Sequence, residues 1–143
     1  MENKIYRITN KELSLVRKQL EKEVNWWVGE IDGELIEDWN DYVQTISKVM
    51  QFPMPCKVFE GYIDWITDLD WLEADGYVLI IRNFESFMSK DLEKKKIVVE
   101  AFEEDIFPWW AGDVEKYVVG GKAKPFNVYL VDEDIKSAAE KIQ

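Results

Sequence analysis

Three acidic side chains recur every four residues in one short stretch of the sequence. Glu60, Asp64 and Asp68 would lie on one face if this stretch is helical, with Thr67 and Trp71 close beside them. Like charges at this spacing weaken an isolated helix by roughly 0.2–0.5 kcal/mol per pair, and no Lys or Arg lies between them. The repulsion opposes folding slightly. This face points away from the apolar side of the helix, so it is available for a partner.

Carboxylates in this pattern could form a glycosidase acid and base, a metal site, a contact surface or a solvated face. Glycoside hydrolysis needs two carboxyl groups that face each other across a sugar, whereas these share one helix face. A hard cation needs oxygen ligands from several directions, and the D-x-D-x-D-G loop pattern is absent. A solvated face is the commonest meaning of such a pattern. The flanking aromatic residues are the local reason to consider a contact surface, and we expect no catalytic or metal-binding residue.

Three other features could bind a ligand, but each has a simpler structural interpretation. Trp109 and Trp110 could line a pocket, although large aromatic residues at a helix end are more often packed in or near the core. Gly120-Gly121 precedes two lysines but belongs to no phosphate-binding motif, so it is interpreted as a turn. Cys56 follows a proline and precedes Lys57, with no base or second cysteine evident, and is interpreted as structural.

The composition excludes several classes of enzyme. Cys56 is the only cysteine and there is no histidine, so an intrachain disulfide, a Cys/His zinc site, a Ser-His-Asp triad and a Cys-His dyad are excluded. The 29 acidic and 18 basic side chains give a formal net charge of -11. That charge repels nucleic-acid phosphates and attracts basic surfaces. We expect no cofactor and no direct nucleic-acid partner.

The length and hydropathy predict one domain in a reducing, cytoplasmic setting. The chain has 143 residues, of which 47% are hydrophobic, enough for a single core. No stretch has the about 18 consecutive apolar residues of a membrane span, and the first residues lack the basic start and apolar run of a signal peptide. We therefore expect no membrane partner.

The acidic stretch belongs to a helix, turn and strand that follow one another directly. Residues 73–76 predict a turn, and residues 77–81 are an uninterrupted apolar run typical of a strand buried on both faces. This unit is expected at the centre of the fold. The helix also carries a core-facing stripe of apolar residues: Phe59, Tyr62, Ile63, Ile66 and Leu69.

Further helices and strands are predicted around this unit. Helices are indicated from Thr9 to about Val24, over residues 39–50, from about residue 90 to Pro108, which closes or kinks it, and over residues 133–143. The capping residues are Thr9 with Glu12, Asp38, Ser89 or Asp91, and Asp132. Strands are indicated over residues 26–31, 77–81 and 126–131. Alternation of helix and strand predicts an α/β fold with a mainly parallel sheet.

Several motifs occur in the order found in the barstar family of ribonuclease inhibitors. The chain contains IDGELI, then a helix ending in FP, then FEGYIDWITDLDWLEADGYVLII and later PFNVYLV. Together these resemble that family over roughly residues 26–132, most closely from Asp64 to Ile81. The resemblance implies a three-layer, three-stranded parallel sheet flanked by helices. Residues 1–25 are then an extra helical extension and residues 26–143 the barstar-like domain, in one compact unit.

The resemblance also implies a partner-binding site. In that family, the acidic helix and the loop before it enter the active-site cleft of a secreted ribonuclease. Asp64 matches the family's central acidic residue, and Glu60 stands where the family has an acid one turn earlier. The carboxylates would then mimic RNA phosphates. The partner-binding residues implied in this chain are Lys57, Glu60, Ile63, Asp64, Thr67, Asp68 and Glu104.

The function expected from the resemblance is that of an immunity protein. It would bind and block a basic toxin nuclease in the cytoplasm, without catalysing a reaction, and would be a monomer when free. The alternative is a barstar-fold interaction or regulatory protein whose acidic face binds another basic protein. A small enzyme that uses the carboxylates is a third interpretation, which turnover lost in Asp64→Asn would support.

Overall fold

The fold is built on a four-stranded parallel sheet. The computed structural model describes residues 2–133. Its strands are β1 (Ile5–Thr9), β2 (Trp26–Asp32), β3 (Gly76–Arg82) and β4 (Phe126–Asp132), in the order β1-β4-β3-β2. All of the pairings are parallel. The predicted α/β fold is confirmed, but the predicted count of three strands was wrong because β1 was missed.

Strand β1 is short and ends where the first helix begins. It pairs with β4 from Ile5 opposite Val128 to Thr9 opposite Asp132, so its sheet partner among residues 2–133 is far along the chain. Thr9 then caps helix α1 (Asn10–Leu20): its hydroxyl accepts from the Glu12 amide at 3.2 Å. The predicted capping box is confirmed. A five-residue strand that runs directly into a cap has little periodicity of its own, which explains why it was missed.

The remaining α-helices of the described residues connect successive strands along the chain. They are α2 (Trp39–Val49), α3 (Phe59–Ile66), α4 (Leu92–Ala101) and α5 (Val114–Tyr117). Asp38 caps α2 by accepting from the Asp41 amide at 2.9 Å, as predicted. Asp91, not Ser89, caps α4.

Two corrections concern where helices end. Helix α1 stops at Leu20, so Val24, predicted on its apolar side, is instead fully exposed. Pro108 does not close the long helix, because the chain stays helical through it to Tyr117. Two π-helical turns, Phe102–Ile106 and Trp109–Asp113, flank the proline, and such turns occur where the usual hydrogen-bond ladder is interrupted. Most of the helix predicted over residues 133–143 lies outside the described residues.

Helices pack against both faces of the sheet. Every residue of β3 from Tyr77 to Ile81 is fully buried, which confirms the predicted central strand. On one face Leu79 and Ile81 pack with side chains from α2, α3, α4 and the first π-helical turn. On the other face Leu13 of α1 packs on the sheet side chains Val78, Ile80 and Val131. The division proposed at residue 26 stays a prediction.

Candidate functional site

Helix α3 is shorter than predicted. It ends at Ile66, where the Thr67 hydroxyl donates to the Ile63 carbonyl at 2.6 Å. Leu69 then takes a left-handed backbone conformation with φ 56°, while its side chain stays fully buried. Asp68 therefore lies in the turn after the helix, and the predicted ladder of three carboxylates on one helix was wrong.

A second acidic residue joins Asp68 in this turn. The Asp70 amide donates to the Asp68 carboxylate at 3.3 Å, and both carboxylates belong to the same cleft as Asp64 of α3. Asp70 was missed because it falls outside the four-residue repeat. The D-x-D spacing of Asp68 and Asp70 was the available signal.

Tryptophan side chains hold the chain at both ends of α3. Val58, at the N-cap, offers no side-chain hydrogen bond. Just before it, the indole N–H of Trp39 on α2 donates to the Lys57 carbonyl at 2.8 Å. At the other end, the indole N–H of Trp110 donates to the Ile66 carbonyl at 3.1 Å, one of the helix-terminal carbonyls that lack a helical partner. The neighbouring elements thus fix where α3 begins and ends.

A buried tyrosine pair joins α3 to α2. The hydroxyl oxygens of Tyr42 and Tyr62 are 2.6 Å apart, and both side chains are fully buried. Burial raises the pKa of both phenols, so both stay neutral. A neutral hydroxyl both donates and accepts, which lets the pair satisfy itself inside the core.

A cleft of about 510 Å³ adjoins the end of α3. Its acidic part comes from α3 and the turn that follows. Aromatic and aliphatic side chains of the long helical segment and the loop after α5 complete it. The lining residues are Asp64, Thr67, Asp68, Asp70, Trp109, Trp110, Val114, Val118, Val119, Gly120, Gly121, Lys122 and Lys124.

Three of the seven predicted contact residues therefore line one cleft: Asp64, Thr67 and Asp68. The other four lie outside its lining. Lys57 and Glu60 are exposed, Ile63 is half-buried against the main core, and Glu104 is exposed on the first π-helical turn. A partner contact of any of the seven stays a prediction.

The cleft carboxylates have no cationic partner within residues 2–133. None of the salt bridges in that range involves Asp64, Asp68 or Asp70. Partial burial raises the pKa of Asp68; the Asp70 amide opposes this and the Asp70 charge adds to it. Lys122 and Lys124 also line the cleft, but neither forms an ion pair with these carboxylates, and the Lys124 ammonium lies 3.4 Å from the Tyr77 hydroxyl. Carboxylates in a cleft that form no ion pair of their own can attract a basic side chain.

The structure also shows where the other candidate features lie. Trp110 is buried, which confirms the packing interpretation, although it also lines the cleft with Trp109. Gly120-Gly121 forms the predicted turn, with φ 78° at Gly120. Cys56 is a half-buried free thiol that donates to the Val58 carbonyl at 3.5 Å, and burial raises its pKa.

The described part of the chain contains neither a metal-binding cluster nor a helix that could span a membrane. No group of three or more His, Cys, Asp or Glu side chains there is arranged to hold a metal ion. Nor does any helix among residues 2–133 combine the length and apolar content that crossing a membrane requires.

The parallel sheet, its helical cover and the carboxylates without an ion pair among the described residues define an α/β domain with an acidic cleft. The family model described as Barstar (barnase inhibitor) matches residues 26–130, and the chain belongs to the barstar family. The predicted family is therefore confirmed. No curated protein matches the sequence.

The fold is also similar to a much larger protein of known structure. This is the ORC2 protein of Aeropyrum pernix, solved as ADPNP and ADP complexes, with a TM-score of 0.62 and 11% sequence identity. The alignment covers 96% of this chain and 37% of that one. At this identity the likeness is one of fold alone.

Proposed function

We propose that this protein inhibits a basic toxin nuclease of the ribonuclease type by binding its active site. The observation that carries the proposal is the cleft in which Asp64, Asp68 and Asp70 lie together without a cationic partner among the described residues. Membership in a family described as barnase inhibitors supports it. The protein would act as an immunity protein in the cytoplasm, and would be a monomer when free.

Inhibition of this kind needs no chemical step. An enzyme that cleaves RNA holds the phosphates with Arg and Lys side chains. Carboxylates of the cleft would meet those cations in place of the phosphates, so that RNA is excluded while the complex lasts. The net charge of -11 would also speed the encounter with a basic protein at low salt.

Asp64→Ala tests the proposal. Barnase serves as the first target, and any nuclease encoded beside the gene as the second. We expect the variant to bind at least roughly thirtyfold more weakly, because truncation leaves the facing cation unpaired. Isothermal titration measures affinity, and inhibition of RNA cleavage measures function.

Glu21→Ala is the matched control, because it removes an exposed acid just after α1. It should bind like the wild type, and both variants should keep the wild-type melting temperature. Equal affinity of Asp64→Ala and wild type for a nuclease that the wild type inhibits would contradict the proposed site.

A second candidate function is that of a protein-interaction or regulatory module with a basic partner that is not a nuclease. One observation favours it: Ile63, at a contact position of the family, is half-buried against this chain's own core. That surface therefore offers less to a ribonuclease than the family pattern implies. Tight binding of a basic protein, with RNA cleavage by the tested nucleases unaffected, would identify this alternative.

A further inference from the structure

Helix α5 leads into a run of exposed apolar side chains. Tyr117 and Val118 expose 76% and 45% of their surface, and Val119 is fully exposed. Within residues 2–133 no other three consecutive large apolar residues are exposed. Single exposed apolar side chains are ordinary, whereas a contiguous group marks an interaction site more often.

A defined turn presents this run to solvent. The Val118 amide donates to the Val114 carbonyl and the Gly121 amide to the Val118 carbonyl, both at 3.0 Å. Gly120 has φ 78°, and a side chain at Gly121 would begin 2.6 Å from the Val114 carbonyl oxygen. The turn therefore requires glycine at both positions. The exposure results from a specific backbone conformation.

The start of the run is also fixed. The ring of Tyr117 stacks on that of Trp109, with centroids 6.3 Å apart and planes 8° apart. Trp109 itself lines the acidic cleft. An aromatic contact thus ties the exposed run to the cleft wall, and the run is preorganised for contact.

The apolar run and the carboxylates belong to the same cleft. Val118 and Val119 line it together with Asp64 and Asp68. A partner whose cation reaches these carboxylates therefore brings its neighbouring side chains onto the valines. The carboxylates would contact the charged end of an Arg or Lys side chain, and the valines would contact its apolar stem and a neighbouring aliphatic or aromatic side chain.

We propose that Tyr117, Val118 and Val119 form an apolar contact region that selects which basic protein the acidic cleft accepts. This inference rests on the proposed function, because it concerns the same partner. Long-range charge attraction accelerates the encounter with any basic protein and is weakened by salt, so net charge alone does not distinguish one basic protein from another. Apolar surface is buried only by a partner of matching shape, so the run would supply the discrimination.

Selection of short random peptides displayed on phage tests this without knowledge of the natural partner. The wild type and Val119→Ser are immobilised in parallel. Val24→Ser is the matched control, since Val24 is also a fully exposed valine but lies between α1 and β2. Wild type and control should enrich peptides in which a basic residue adjoins an aliphatic or aromatic one. Val119→Ser should keep the basic enrichment and lose the apolar one.

A synthetic copy of the most enriched peptide gives the quantitative test. It should bind Val119→Ser roughly tenfold more weakly than wild type or Val24→Ser, because that variant lacks the Val119 methyl groups that the peptide would bury on binding. Equal binding by all three would overturn the inference. If the wild type selects peptides with basic residues but without apolar neighbours, the inference would also be overturned, but the proposed function would stand. Selection of no basic residues would overturn both.

Discussion

Asp68 lies where its negative charge costs the folded state. It is partly buried and neighbours Asp70, and burial raises its pKa. Within the described residues no salt bridge relieves the charge. Functional sites commonly keep such a cost because the partner removes it on binding. Asp68 should therefore affect stability and binding in opposite directions.

Asp68→Asn should raise the free energy of unfolding by at most roughly 0.5 kcal/mol at pH 7, because solvent screens this partly exposed carboxylate. The change removes the partly desolvated charge, while the amide oxygen can still accept from the Asp70 amide, which donates at 3.3 Å in the wild type. The same change should weaken binding of a basic nuclease. Urea denaturation measures the change in stability, and titration measures the change in binding. A less stable variant would contradict the conclusion that the charge of Asp68 destabilises the folded state.

The stability difference should depend on pH in a defined direction. The folded-state pKa of Asp68 is raised, so the folded protein takes up the proton first as pH falls. The charge penalty is full above the folded pKa and is gone below the unfolded value of about 3.9. The advantage of Asp68→Asn should therefore shrink as pH falls through that window. Asp75→Asn, a change at an exposed acid, serves as the control.

At the scale of the elements, α3 depends on its neighbours. It has eight residues and no side-chain cap, and helices this short are marginal on their own. Its position is set by the Tyr42–Tyr62 pair and by the indole donors of Trp39 and Trp110. The acidic cleft is thus a product of packing between elements.

Tyr62→Phe should lower the free energy of unfolding by about 1–3 kcal/mol, because it leaves the buried Tyr42 hydroxyl without its partner. The double variant Tyr42→Phe/Tyr62→Phe should recover much of that loss, since it removes both polar groups. A double-mutant cycle in urea measures the coupling. Simply additive losses would show that the two hydroxyls act independently.

Local signals explain which elements the sequence could predict. The Thr9 capping box, the Asp38 cap and the apolar run of β3 each lie within a few residues, and each was predicted correctly. Strand β1 was missed because it is defined by pairing with β4, at the far end of the chain. The end of α3 was missed because the backbone at Leu69 turns left-handed, which helical periodicity does not reveal.

The residues of the acidic cleft also differ in how far the sequence could predict them. Asp64, Thr67 and Asp68 were found because they belong to one stretch that resembles a family motif. The loop residues 118–122 and Lys124, which share the cleft, are distant in sequence and belong to no binding motif. Only the fold brings these two segments together, so pattern reasoning could single out features of each segment but could not place them in one cleft.

At the scale of the whole molecule, β1 and α1 add to the part of the chain that matches the family. The match begins at residue 26, yet β1 pairs with β4 along the edge of the sheet. Helix α1 places Leu13 over Val78, Ile80 and Val131 on the second sheet face. The first elements therefore provide both an edge strand and the cover of an apolar surface.

Deletion of residues 1–25 should abolish cooperative folding or lower the free energy of unfolding by several kcal/mol. It would expose the apolar side chains that α1 covers and leave β4 as an unpaired edge. Circular dichroism during urea denaturation measures this, with Leu15→Ala as control because Leu15 on α1 is exposed. An unchanged urea midpoint would instead make residues 1–25 a dispensable extension. The deletion would also disturb the acidic cleft, because Lys124 lines it and lies next to β4. Loss of partner binding in the deletion variant would therefore reflect a damaged fold. The partner contacts must be tested in the full chain.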